Sequence, residues 1–129
     1  MSKTVFKLFA ATALSAVLCT AAFAMDPAKV AETSKGKTLV DAKGMTLYTF
    51  DKDSGGKSAC NGPCATNWPP LAASADAKSM GDWTVVARDD GNKMWAYKGK
   101  PVYTFAKDTA AGDIKGDGFL NGAWHVAQP

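Results

Sequence analysis

The sequence has little to build chemistry from. It carries one histidine and three cysteines, and beyond its first 24 residues no apolar run approaches the ~18 residues that cross a membrane. The single histidine, His125, excludes any mechanism that needs two. No Ser-His-Asp set, HExxH, P-loop or GxGxxG is present, so hydrolase, phosphoryl-transfer and dinucleotide chemistry have no motif to stand on. Excess charge is missing as well. Against 12 Asp+Glu stand 15 Lys+Arg, and two of the lysines, Lys3 and Lys7, lie in the leader, leaving 13 against 12. The pI of 8.8 therefore overstates any basic character, and a surface built for nucleic acid or anionic lipid is disfavoured.

The leader is the first thing present. Lys3 and Lys7 form a positive start, Val5 to Phe23 is apolar and small, and Ala22-Phe23-Ala24 fits the small-x-small cleavage rule. Residues 1–24 are expected to be a cleavable signal, with the mature chain beginning at Met25 in the periplasm or outside the cell. An uncleaved anchor and lipidation at Cys19 are disfavoured, the latter because Leu18 stands where a lipobox needs a small residue. The remainder is the size of one small domain, and a composition 47% hydrophobic supports a packed core rather than disorder.

Residues 25–36 read as a flexible lead-in with one helical turn near Ala28–Glu32. From Lys37 the pattern is β. Thr38-Leu39-Val40, the turn Asp41–Gly44 and Met45–Phe50 suggest a hairpin, with Tyr48 and Phe50 on one face and Met45 and Leu47 on the other. Strands are also expected at 82–87, 93–97, 101–105 and 122–126. Turns fall at Asp89–Asn92 and Lys98-Gly99-Lys100, and 74–79 is a short helix or a loop.

The chain repeats itself. Gly44–Asp53 aligns with Gly99–Asp108 at an offset of 55, with six of ten positions identical, where chance gives roughly 0.5. Trp68 and Trp124 follow at nearly equal distances. The expectation is a small all-β, antiparallel domain spanning 37–129. It is built from two sequence repeats, about 37–73 and 82–127, with pseudo-two-fold symmetry, each half covering a face of the other.

These residues resemble a bacterial family of secreted repeats of unknown function, predicted lipoproteins with a Tyr-x-[Phe/Trp/Tyr]-x-x-Asp motif. Tyr48, Phe50 and Asp53 match the first copy; Tyr103, Phe105 and Asp108 match the second. The likeness takes in Cys60, Cys64, Trp68-Pro69-Pro70, Lys98–Tyr103 and the stretch from Gly116 to Val126. It implies architecture rather than an activity. The leucine before Cys19 departs from the lipoprotein part of the pattern.

Cys60-Asn61-Gly62-Pro63-Cys64 makes a turn tight enough for a disulfide, the favoured reading in an oxidising compartment. A redox pair or a metal role is less favoured, since two cysteines and His125 reach only three zinc ligands. For the repeated Tyr/Asp pairs, the structural reading buries each ring and lets each carboxylate accept N–H bonds from its own following loop. The competing reading makes them a shared ligand or cation site. Asp51–Gly55 faintly suits calcium but lacks an acid at the twelfth position, where Gly62 stands. His125, expected to be exposed beside a buried Trp124, is a candidate haem or copper ligand with Met45, Met80 or Met94. No cofactor and no metal site is expected. The favoured function is an exported, non-catalytic binding or structural module, with its ligand and partners unknown. The alternatives are a haem- or copper-binding redox accessory and, last, a thiol oxidoreductase at Cys60/Cys64.

Overall fold

A computed structural model describes residues 27–129. The signal, its cleavage after Ala24, and Cys19 lie outside the described residues. Eight short strands run in order: β1 (Lys29–Thr33), β2 (Gly36–Val40), β3 (Tyr48–Phe50), β4 (Ala72–Ala73), β5 (Trp83–Ala87), β6 (Lys93–Tyr97), β7 (Lys100–Pro101) and β8 (Trp124–Val126). Two helical turns interrupt them, α1 (Pro63–Asn67) and α2 (Phe119–Gly122). All strand pairs are antiparallel: β1 with β2, β3 with β8, and β6 with β4, β5 and β7.

The repeats are interlaced rather than stacked side by side. The last strand of each crosses to the other. In the second half, β8 pairs with β3 of the first, Tyr48 opposite Val126 and Phe50 opposite Trp124. In return, residues 67–71 serve the second half: Thr104 N donates to Pro69 O, Ala106 N to Asn67 O, and Leu71 N to Val102 O. Each such bond has a counterpart when the repeats are exchanged. Leu39 N donates to Ala127 O over 2.9 Å, and Trp95 N to Leu71 O over 2.9 Å. Asp51 N donates to Ala123 O at 2.8 Å, and Ala106 N to Asn67 O at 2.9 Å. One pair maps onto itself: Tyr48 N donates to Tyr103 O, and Tyr103 N to Tyr48 O. The pseudo-two-fold axis passes between these two tyrosines.

Strand alternation then divides the core. Tyr48, Phe50, Tyr103, Phe105, Trp68, Trp124, Met94, Val126 and Cys60 fill one side. Leu47 and Val102, one residue earlier in each repeat, turn to the other side with Leu39, Trp83, Ala28 and Ala127. Leu47 is thus buried on the face opposite Tyr48 and Phe50, while Thr49, on that same face within β3, is only half-buried.

Three sequence expectations are corrected. Residues 29–33 form β1, not part of a lead-in with a helical turn. Their side chains are mostly outward, so Lys29-Val30-Ala31-Glu32-Thr33 offers no strong alternation, and pairing with β2 decides the matter. The hairpin at 38–50 is reduced to a single bridge, Val40 with Thr46, after which the chain leaves to meet β8. The strand expected at 101–105 is only β7 plus Tyr103, which bridges Tyr48 and Pro70. Of the two readings of 74–79, the loop is the one found, closed by Ala77 N donating to Ser74 O.

Candidate functional site

The repeated tyrosines and aspartates meet, but crosswise. Tyr48 and Tyr103 sit side by side on the axis with rings fully buried, and each strand's exit sends its aspartate towards the other tyrosine. The Tyr48 hydroxyl donates to Asp108 Oδ2 over 2.6 Å, and the Tyr103 hydroxyl to Asp53 Oδ2 over 2.7 Å. The second carboxylate oxygen serves its own loop: Asp53 Oδ1 accepts Ala59 N at 2.6 Å, and Asp108 Oδ1 accepts Lys115 N at 2.9 Å. A bond across its own exit loop and a long-range exchange are thus combined in one side chain.

Electrostatics follow from burial. Both tyrosine pKa values are driven well above 10.0, chiefly by desolvation and secondly by the bonded carboxylate. Desolvation also raises Asp53 and Asp108, against the pull of their backbone and tyrosine donors. The hydroxyls therefore stay protonated as donors, and every carboxylate oxygen already has one.

The halves differ in the next layer. Gly116 N donates to the Tyr48 oxygen at 3.2 Å, whereas the Tyr103 hydroxyl lies 2.6 Å from Ser58 Oγ. Ser58 is held by Arg88 Nη1 at 2.9 Å. Arg88 is buried and also donates from Nη2 to Cys60 O at 2.8 Å and Asn61 Oδ1 at 3.3 Å, and from Nη1 to Met94 Sδ at 3.6 Å. It is the only arginine of the chain. Its selection over lysine was a usable signal, since a fork of donors suits convergent acceptors. Sequence reasoning passed it over. Its cation lies close enough to Asp53 to favour the charged carboxylate.

Beside the tyrosines runs a four-ring stack with the same exchange. Phe50 stacks on Trp124 (4.1 Å between centroids), Trp124 on Trp68 (3.8 Å, 3° between planes), and Trp68 on Phe105 (4.1 Å). Tyr48 meets Trp68 edge-on at 5.4 Å, and Tyr103 meets Trp124 likewise at 5.1 Å. Gly116 admits this arrangement, because a Cβ there would lie 2.6 Å from the Trp68 ring.

Cys60 and Cys64 are joined by a disulfide, their Cα atoms 5.2 Å apart, with Cys60 fully buried and α1 starting at Pro63 between them. The remaining candidates are not brought together. His125 is exposed, with Nε2 2.9 Å from Asp51 Oδ2. Met94 is buried in the core under Arg88, and Met45 and Met80 are half-buried elsewhere. Asp51 and Asp53 look to different partners, His125 and the Tyr103/Ala59 pair, instead of converging as a calcium loop requires. Among the described residues no group of three or more His, Cys, Asp or Glu is placed to hold a metal ion.

A family model described as a secreted repeat of unknown function matches the chain twice, over residues 29–72 and 84–128. No curated protein and no solved structure matches it.

Proposed function

We propose, from the premise that this chain belongs to the family of secreted repeats of unknown function, that it works as an exported, non-catalytic binding or structural module. One observation carries this reading. The four polar side chains of the repeated motif bond one another across the axis, and both carboxylates are completed by backbone donors. The motif locks two halves together, which is a reason for its repetition that needs no substrate. A redox role through haem or copper is less well supported: His125 is engaged by Asp51, and Met94 is enclosed with Arg88 at its sulfur. Thiol exchange is also less well supported, since Cys60 is fully buried.

Thermal melts with and without calcium test the lock. Calcium should leave the parent's melting temperature unchanged, and Asp53→Ala should lower it; a calcium-dependent rise that Asp53→Ala abolishes would make the motif a cation site. Titration with haem or Cu(II) should give no new absorption band, and a band lost in His125→Ala would promote the redox role. We further propose cleavage after Ala24 without lipid. The intact mass of the exported protein should begin at Met25, and a diacylglyceryl mass starting at Cys19 would overturn that.

A further inference from the structure

The two halves serve as controls for one another. Positions alike in both build the fold; solvent-facing positions that differ are free to serve something else. The sharpest such difference lies where the first repeat's exit loop passes the β6–β7 turn. On one side, Gly55 and Gly56 stand where the other half has Ala110 and Ala111. Ala111 closes over Gly44, where an added Cβ would come within 3.0 Å of it. At the equivalent Gly99 an added Cβ meets nothing within 4 Å. The glycine loop leaves a groove of about 340 Å³, continuous through Thr49, Asp51, Lys98 and Lys100 with a second of about 420 Å³ that reaches His125. Volumes of this size suit a small molecule.

The groove's polar groups are one-sided too. Lys100, Asp51 and His125 have Met45, Ala106 and Pro69 as their counterparts, whereas Thr49, Lys98 and the motif's Asp53 are matched by Thr104, Lys43 and Asp108. The two acids on this face are already answered. Asp51 pairs with His125, and Asp53 accepts from Tyr103 and Ala59. Neither ammonium group has a carboxylate partner: among the described residues, the ion pairs leave out both Lys98 and Lys100. Lys98 holds a left-handed φ of 50° in a turn with Gly99, and its Nζ lies 5.2 Å from the centroid of the Tyr97 ring, which also lines the second groove.

We infer that this groove binds a small multivalent oxyanion, a carboxylate or phosphate compound, between Lys98 and Lys100 with Thr49 as a hydrogen-bonding neighbour. The inference rests on the reading of the protein as a binding module and gives that module its ligand class.

Amide chemical-shift titration of the ¹⁵N-labelled mature protein tests it, with citrate and inorganic pyrophosphate as separate probes. Saturable shifts are expected at residues 49–56, 97–100 and 125–128, and the probe that saturates lower separates carboxylate from phosphate. Affinity should fall roughly five- to tenfold in Lys98→Ala/Lys100→Ala and hold in Lys43→Ala on the other face. The same spectra report that each variant is folded. Shifts that never saturate, that spread over lysines of the whole surface, or that survive the Lys98/Lys100 change would overturn the proposal. None of these outcomes bears on the Tyr–Asp lock, whose melts stand separately.

Discussion

Tyr48 donates its hydroxyl hydrogen bond not to Asp53, five residues on in its own motif, but to Asp108, sixty residues away in the other repeat. Tyr103 returns the exchange to Asp53. A motif that reads as two local pairs is two long-range pairs. The distinction is measurable in a double-mutant cycle. Tyr48→Phe and Asp108→Asn should each cost ~1–3 kcal/mol and couple by about 1 kcal/mol or more. Tyr48→Phe with Asp53→Asn should add to within ~0.5 kcal/mol. Denaturant unfolding of the parent and the five variants decides it; strong coupling in the second cycle and none in the first would return the pairs to their own repeats.

Alkaline pH should release the lock. In the unfolded chain both tyrosines titrate near 10.0; in the fold, burial raises them well above that. The folded state therefore favours the protonated hydroxyls. The stability tied to them is fully present below pH 10 and drains away as pH climbs from there towards the raised values. Denaturant midpoints followed from about pH 8 to about pH 12 should fall beyond pH 10. Tyr48→Phe/Tyr103→Phe should show a shallower decline, and an identical slope in parent and variant would contradict the assignment.

Thiol counting on unreduced, denatured mature protein should find no free thiol, since Cys60 and Cys64 are bonded to each other. Cys60→Ser/Cys64→Ser should lose roughly 1–3 kcal/mol and keep its fold, because the closed loop is short. A loss of native tryptophan signal in the reduced, otherwise native protein would show that the bridge does more than brace the loop.

Gly116→Ala is expected to be the most damaging of the glycine-to-alanine changes. Its backbone has no left-handed φ, so the whole effect is steric: the methyl would stand 2.6 Å and 2.8 Å from two Trp68 ring carbons and 3.1 Å from Phe105. Overpacking should cost ~1–3 kcal/mol and alter the near-ultraviolet circular dichroism of the stacked tryptophans. An unchanged spectrum and melting point would mean the stack can slide aside.

The sequence showed the β class, the repeat and the alternation that buries Tyr48 apart from Leu47, because periodicity and identity at offset 55 are local records of a face. It did not show the exchange. The sequences of β3 and of 67–71 are equally good partners on paper, and only the packed ring stack selects which half each joins. β1 escaped notice because Lys29–Thr33 is polar and mostly exposed, with pairing rather than burial holding it. The helical turn at Pro63–Asn67 is five residues long and set by the disulfide and Pro63, too short for any period to form. Arg88 was visible only as a lone arginine, its acceptors Ser58 and Cys60 lying about thirty residues upstream.

The exchanged strands change what the linking loop is for. Ser74–Ser79 is mostly exposed and lies between two halves that already hold each other by backbone ladders, two Tyr–Asp bonds and a shared ring stack. Among the described residues the one disulfide closes within the first half. The loop is thus a tether in the thermodynamic sense: it makes the meeting of two strand-swapped partners intramolecular, at an effective concentration on the order of millimolar, and adds little to the finished assembly. A protease that nicks it leaves two fragments in one particle, each completed by a strand that belongs to the other.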